Sequence, residues 1–166
     1  MPNWIEGTMK LRGKMVDIKR FINEGIHGYD FMGENERPKS EYLKDNLFDD
    51  DIIYCDIFNG PHVDGTRRMF INDTTIEMDD NEGTCCFNVR QAWSFTSTEN
   101  DLPNLIALAD KYNVDIRLFG IESGMQFTQE IIVKHGKDSV KGEVILNNTH
   151  TFEDWEWDCP FPRMGG

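Results

Sequence analysis

Residues 86–127 constrain this chain more than any other stretch. Cys86 to Ser94 reads as a strand, Asp101-Leu102-Pro103 to Tyr112 as a helix, Val114 to Ile121 as a strand, and Glu122 to Phe127 as a tight turn into another strand. Cys85, Phe87, Val89, Gln91 and Trp93 alternate with Cys86, Asn88, Arg90 and Ala92, a period of two. The first set is the better core face, so Trp93 is expected inside. Leu105, Ile106, Leu108, Ala109 and Tyr112 form the buried stripe of the helix. Pro103 suits a first turn, and Thr98-x-x-Asp101 is a loose capping box. This pattern states a fold and no reaction.

The rest of the chain is read around that stretch. Thr8 to Arg12 alternates as a short strand, and Lys14 to Glu24 follows as an amphipathic helix stopped by Gly25. Thr66 to Met78 reads as a strand pair, and Asp79-Asp80-Asn81-Glu82-Gly83 as the turn of a β-hairpin. Gln126 to His135 and Val140 to Leu146 add a C-terminal hairpin. Residues 26–66 are punctuated by glycine and proline and read as an insertion, with a short helix over Ser40 to Leu47 and a strand over Ile52 to Phe58. The order without it is βαββαβ. That predicts an α+β, ferredoxin-like sandwich as one domain over 1–150, with the insertion after the first helix, the extra hairpin, and an acidic aromatic tail at 151–166.

Composition narrows the function classes. Thirty Asp and Glu stand against 17 Lys and Arg, a net charge of −13. Such a surface repels phosphate backbones and favours cationic partners, so direct nucleic-acid binding is not expected. The strand Thr84 to Gln91 also lacks the stacking aromatics of an RNA-recognition motif. There is no basic region followed by an apolar run at residues 1–7 and no long apolar stretch, so a cytoplasmic location without membrane contact is expected. Cys55, Cys85, Cys86 and Cys159 lack paired Cys-x-x-Cys spacing, and His27, His62, His135 and His150 are scattered. Neither a phosphate-binding glycine loop nor a nucleophile–base pair is present, so no metal, cofactor or catalytic residue is assigned.

Four short pieces resemble a family. Met1-Pro2-Asn3-Trp4 before Arg12-Gly13, Ala92-Trp93-Ser94, the helix Leu105 to Tyr112, and Glu122-x-Gly124-x-x-Phe127 are similar to segments of small phage- and plasmid-borne proteins of the YubB type. Phe95-Thr96 stands where that family has Pro-Pro, and residues 26–66 and the tail have no counterpart. The resemblance implies a ferredoxin-like fold and an origin on mobile genetic elements, and it brings no catalytic residues.

Charge and implied origin together predict a non-enzymatic, anti-CRISPR-like inhibitor. Its carboxylates would mimic nucleic acid in the cationic groove of a host nucleic-acid-handling or defence protein. The expected contacts are Asp49, Asp50 and Asp51 in the insertion, Asp79, Asp80 and Glu82 at the hairpin, and Glu153, Asp154, Trp155, Glu156, Trp157 and Asp158 in the tail. The alternatives are a self-associating structural or regulatory phage protein, a homo-oligomer through its edge strands, and a metal-dependent enzyme.

Overall fold

The computed structural model of the chain describes residues 3–29, 36–37, 43–45, 52–56, 61–125, 127–136 and 143–147. Its centre is β1, Trp4–Arg12, whose alternation runs the full nine residues: Ile5, Gly7, Met9 and Leu11 are buried, and Lys10 and Arg12 are exposed. On one side β1 pairs antiparallel with β9, Thr84–Ala92, from Trp4↔Ala92 to Arg12↔Thr84. On the other it pairs antiparallel with β10, Asp115–Glu122, from Ile5↔Glu122 to Arg12↔Asp115. Helix α2, Asp101–Tyr112, connects β9 to β10, so the two strands it joins flank β1 and run parallel to each other. Helix α1, Met15–Gly25, packs beside α2. Ile18, Phe21 and Ile22 of α1 and Leu105, Leu108, Ala109 and Tyr112 of α2 join the core formed on the buried face of the sheet.

Further strands extend the sheet both ways. Beyond β10 lie β11, Phe127–Val133, and β12, Glu143–Asn147. Beyond β9 the sheet forks. The first three residues of β9 pair with β8, Thr75–Asp79, which leads to β5, Ile52–Cys55, and β4, Leu43–Asp45. Val89 to Gln91 pair instead with β7, Met69–Ile71, which leads to β6, Pro61–Val63, β2, Ile26–Tyr29, and β3, Glu36–Arg37. A fork leaves strand-edge groups without ladder partners. Asp73 supplies them here: its carboxylate accepts the Asn88 backbone N–H at 2.5 Å and the Asn88 side-chain amide at 2.8 Å, while Asn72 N–H donates to the Asn88 carbonyl at 2.9 Å.

This architecture overturns the expected fold class. The chain is not a βαββαβ ferredoxin-like α+β sandwich: it is one large, mostly antiparallel sheet, of twelve strands among the described residues, with two helices. The difference arises in residues 26–66. Their described parts supply β2 to β6, short strands that continue the sheet. Leu43–Asp45, expected in a helix, is a strand because its backbone pairs with Ile53 to Cys55. Tertiary pairing prevails there over a weak local helical pattern.

Two glycines hold the middle of the sheet together. Gly7 lies opposite Gly120. A Cβ on Gly7 would fall inside the contact distance of the Phe119 carbonyl, and a Cβ on Gly120 would meet the Phe95 ring at 2.6 Å. Replacing Gly7 by alanine therefore pushes β1 and β10 apart. Urea unfolding of Gly7→Ala should show a loss of at least ~2 kcal/mol, in the range of an overpacked core. A loss below about 0.5 kcal/mol, the scale of a surface change, would contradict the close approach.

Candidate interaction surface

One end of the sheet is built differently from the rest. At the end of β9 the chain leaves the ladder at Trp93, whose φ is 72°. A bulky residue at positive φ costs of order 1–3 kcal/mol and persists only where its surroundings fix it. The indole is nevertheless 51% exposed, between Ala92 and Phe95, which are buried. The alternation that placed Trp93 in the core ends one residue early, at Ala92.

The surroundings that fix Trp93 are buried and polar. Its own N–H donates to the Asn3 carbonyl at 2.8 Å. Two residues on, the Phe95 ring fills the depression over Gly120. Gln129, 1% exposed and paired with Gly120, accepts the Phe95 N–H at 2.8 Å and donates to Thr96 Oγ1 at 2.8 Å. Gln91 is fully buried; its Nε2 donates to Ser97 Oγ at 3.2 Å and to Asp101 Oδ2 at 3.1 Å. Asp101, 1% exposed, also accepts the Thr98 N–H at 2.9 Å and the Ser97 hydroxyl at 3.1 Å on Oδ2. The Thr98–Asp101 bond joins the pair expected to form a capping box, but the helix begins at Asp101 with Asn100 as its N-cap, so the bond closes the turn before the helix and does not cap it.

The other oxygen of Asp101 reaches a second loop, accepting the Arg67 N–H at 3.1 Å. That loop, residues 64–68, contains Gly65 at φ 68° and Arg68 at φ 56°. Asn104 of α2 donates to the Gly65 carbonyl. One buried carboxylate thus ties the turn between β6 and β7 to the loop between β9 and α2. Arg67 and Arg68 are exposed, and neither is in an ion pair among the described residues.

A third loop meets the same end. Buried Glu122 accepts the N–H groups of Gly124 at 2.9 Å and Met125 at 2.5 Å, which closes the turn into β11. Gly124 packs against the Asn3 side chain, and Met125 is 63% exposed. Asn3-Trp4, Ala92-Trp93-Ser94 and Glu122 to Met125, short segments far apart in sequence, therefore converge around Asn3. Beside them, on the face of the sheet turned away from the helices, Arg90 lies 5.4 Å over the Trp4 ring, and Trp4 and Phe70 rings are 6.2 Å apart. Burial raises the Glu6 carboxyl above its ordinary value, with Arg90 acting in the opposite direction.

The residues expected to bind a partner are distributed otherwise. Asp79, Asp80 and Glu82 are exposed at the turn between β8 and β9. Asp79 Oδ1 accepts the N–H groups of Asn81 at 3.0 Å and Glu82 at 3.1 Å, so that carboxylate shapes the turn. This tip is at the far end of the nine-residue β9 from Trp93, about 30 Å away. Asp49, Asp50, Asp51, Glu153, Asp154, Trp155, Glu156, Trp157 and Asp158 lie outside the described residues. Trp93, Met125, Arg67 and Arg68 were not singled out as contacts. Ala92-Trp93-Ser94 was noticed as a motif, but strand alternation hid its exposure.

Among the described residues no group of three or more His, Cys, Asp or Glu is arranged to hold a metal ion. Burial pushes the Cys55 and Cys85 thiols up to about 12, which makes them inert thiols in the core. No described helix is long and apolar enough to cross a membrane. No family model, curated protein or solved structure matches the chain.

His62, next to the Phe70 ring and opposite His27, gives the surface a pH signature. Burial, with a smaller contribution from His27, holds its imidazole below the ordinary value of 6.5, against the Val63 carbonyl and Asp64, which raise it. The unfolded chain then binds this proton more readily than the folded chain. Stability should fall as pH drops below about 6.5 and level off once the folded His62 is protonated. Urea midpoints for wild type and His62→Gln across pH 5 to 7 test this: the variant should show a flatter acid slope. Parallel curves would contradict it.

Proposed function

We propose that this chain is a non-catalytic binding protein that docks on a nucleic-acid-handling or defence protein of a host cell and inhibits it, acting in the cytoplasm. The single observation that carries the docking part is Trp93. Its backbone is held in an unfavourable conformation by buried hydrogen bonds, and the result is an exposed indole at the same end of the sheet as exposed Met125. A fold that needed only stability would gain by burying that ring. Tryptophan is one of the residues enriched among the anchors that carry most of the binding energy of protein interfaces.

The sign of the partner comes from charge. At −13 the chain is drawn to cationic surfaces, and Asp80 and Glu82 project from the hairpin tip. Long-range attraction brings the partner in, and the Trp93 end supplies short-range contact. The anti-CRISPR-like role and the mobile-element origin rest on the resemblance of the short motifs.

The test is capture of host proteins on the immobilised chain, elution with rising salt, and repetition of the measurement with the purified captured protein. A cationic nucleic-acid-binding protein should be retained and should lose nucleic acid in proportion to the chain added. Trp93→Ala should weaken its binding by about 30-fold, the loss of one anchor of ~2 kcal/mol, with an unchanged thermal melt. Recovery of the chain's own copies alone, or equal binding by Trp93→Ala, would contradict the proposal.

A further inference from the structure

We infer that the two loops clamped by Asp101 form a docking site for an acidic segment of the partner protein, read by Arg67 and Arg68 with Trp93 and Met125 taking the apolar residues beside it. The inference rests on the docking role of this end of the sheet and adds the chemistry of what binds there.

Charge is inverted at this end of the sheet. The chain carries 30 acidic residues against 17 basic ones, yet the loop next to Trp93 presents two consecutive exposed arginines. Other arginines on the sheet are neutralised within the fold: Arg12 by Asp115 at 2.5 Å and Arg117 by Glu130 at 2.5 Å. Arg67 and Arg68 have no such carboxylate among the described residues. Two of the acidic neighbours are engaged elsewhere, and the third, Glu99, is in no ion pair among the described residues. Asp64 Oδ1 accepts the Gly65 N–H at 2.9 Å and its Oδ2 lies 3.9 Å from His27, Glu6 faces Arg90, and Glu99 stands exposed in the loop after Trp93.

The backbone places these groups together. Arg67 and Thr98 N–H groups meet on the same Asp101 carboxylate, so the two loops are adjacent. Register continues the point: Met69 pairs with Gln91, so Arg68 and Ala92 come next on their strands. Both Arg68 and Trp93 are at positive φ, so both loops are held in shapes that an unclamped chain would leave. Guanidinium groups accept carboxylates in two-point geometry, which gives orientation as well as attraction. In an acidic protein such a patch fixes which way a cationic partner docks, because its acidic segment has one place to go. A single-stranded nucleic acid is the less favoured occupant, since its charge at every nucleotide meets the repulsion of the whole chain.

The experiment is a fluorescence anisotropy titration of the full chain with two labelled probes, a short peptide of alternating Glu and Leu and a short oligothymidine. The peptide should bind saturably and weaken as salt is raised. Arg67→Ala with Arg68→Ala should cost at least about tenfold in affinity, and the corresponding lysine pair should recover only part of it. Circular dichroism melting confirms that the variants fold. Should the alanine pair not fold, Arg67→Gln with Arg68→Gln is the second variant, and it must bind the acidic peptide at least about tenfold more weakly than the wild-type chain does. Absence of saturable peptide binding, equal affinity in the alanine pair, or oligothymidine binding through these arginines without peptide binding would overturn the inference. Loss of partner capture in Trp93→Ala with no effect of the arginine pair would leave docking intact and remove only the acidic segment.

Discussion

Strands β1 and β10 approach more closely at Gly7 and Gly120 than side chains permit, and much of the molecule follows from that contact. Two consequences arise from the missing Cβ atoms. The central ladder can run unbroken from β9 through β1 to β10, and the buried face of the sheet has a depression where other positions carry a side chain. Phe95 occupies it, fully buried. A void there would lose the contacts that a packed interior depends on. The phenylalanine thus fills the core, and it also brings the loop after β9 down onto the sheet.

With the loop held down, its polar groups, backbone N–H and side-chain hydroxyl alike, need partners away from water, and three buried polar side chains provide them. Gln129 serves Phe95 and Thr96, Gln91 serves Ser97, and Asp101 serves Ser97, Thr98 and Arg67. Each bond contributes only about 1 kcal/mol net, but a group left alone costs ~1–3 kcal/mol. The set is therefore stable when complete and fragile when one member is removed. Gln91 Oε1 is buried with no partner among the described residues, so the network is not fully satisfied there. A network of this kind does little for the core that apolar residues would not do better. What it does is fix the backbone shape that turns Trp93 outward.

How far this was legible in the sequence depends on whether the signal was local. Helices α1 and α2 and strands β1, β9 and β10 announced themselves by periodicity, since each carries one apolar face along its length. The single large sheet was not legible, because β2 to β6 are short strands whose existence depends on neighbours remote in sequence. Leu43–Asp45 is a strand by pairing, against its local pattern. Trp93 was misplaced because alternation has no way to indicate where a strand stops, and the stop is set by Asn3, Gln129 and Asp101 acting together. Thr98-x-x-Asp101 was the one legible trace of the clamp, and it indicated a helix start without the tie to Arg67.

Buried side chains hold the exposed loops rigid, and the presentation of Trp93 depends on it. The most direct measurement is amide hydrogen exchange, by NMR on the intact chain, at Phe95, Thr98 and Arg67. Their N–H groups are held by Gln129 and by the two oxygens of Asp101. If the clamp exists as described, these loop amides exchange as slowly as Met9 in the central strand, because they open only when the sheet does. Exchange at the rates of an open loop, with Met9 still protected, would contradict the clamp and remove the rigid base on which Trp93 is presented.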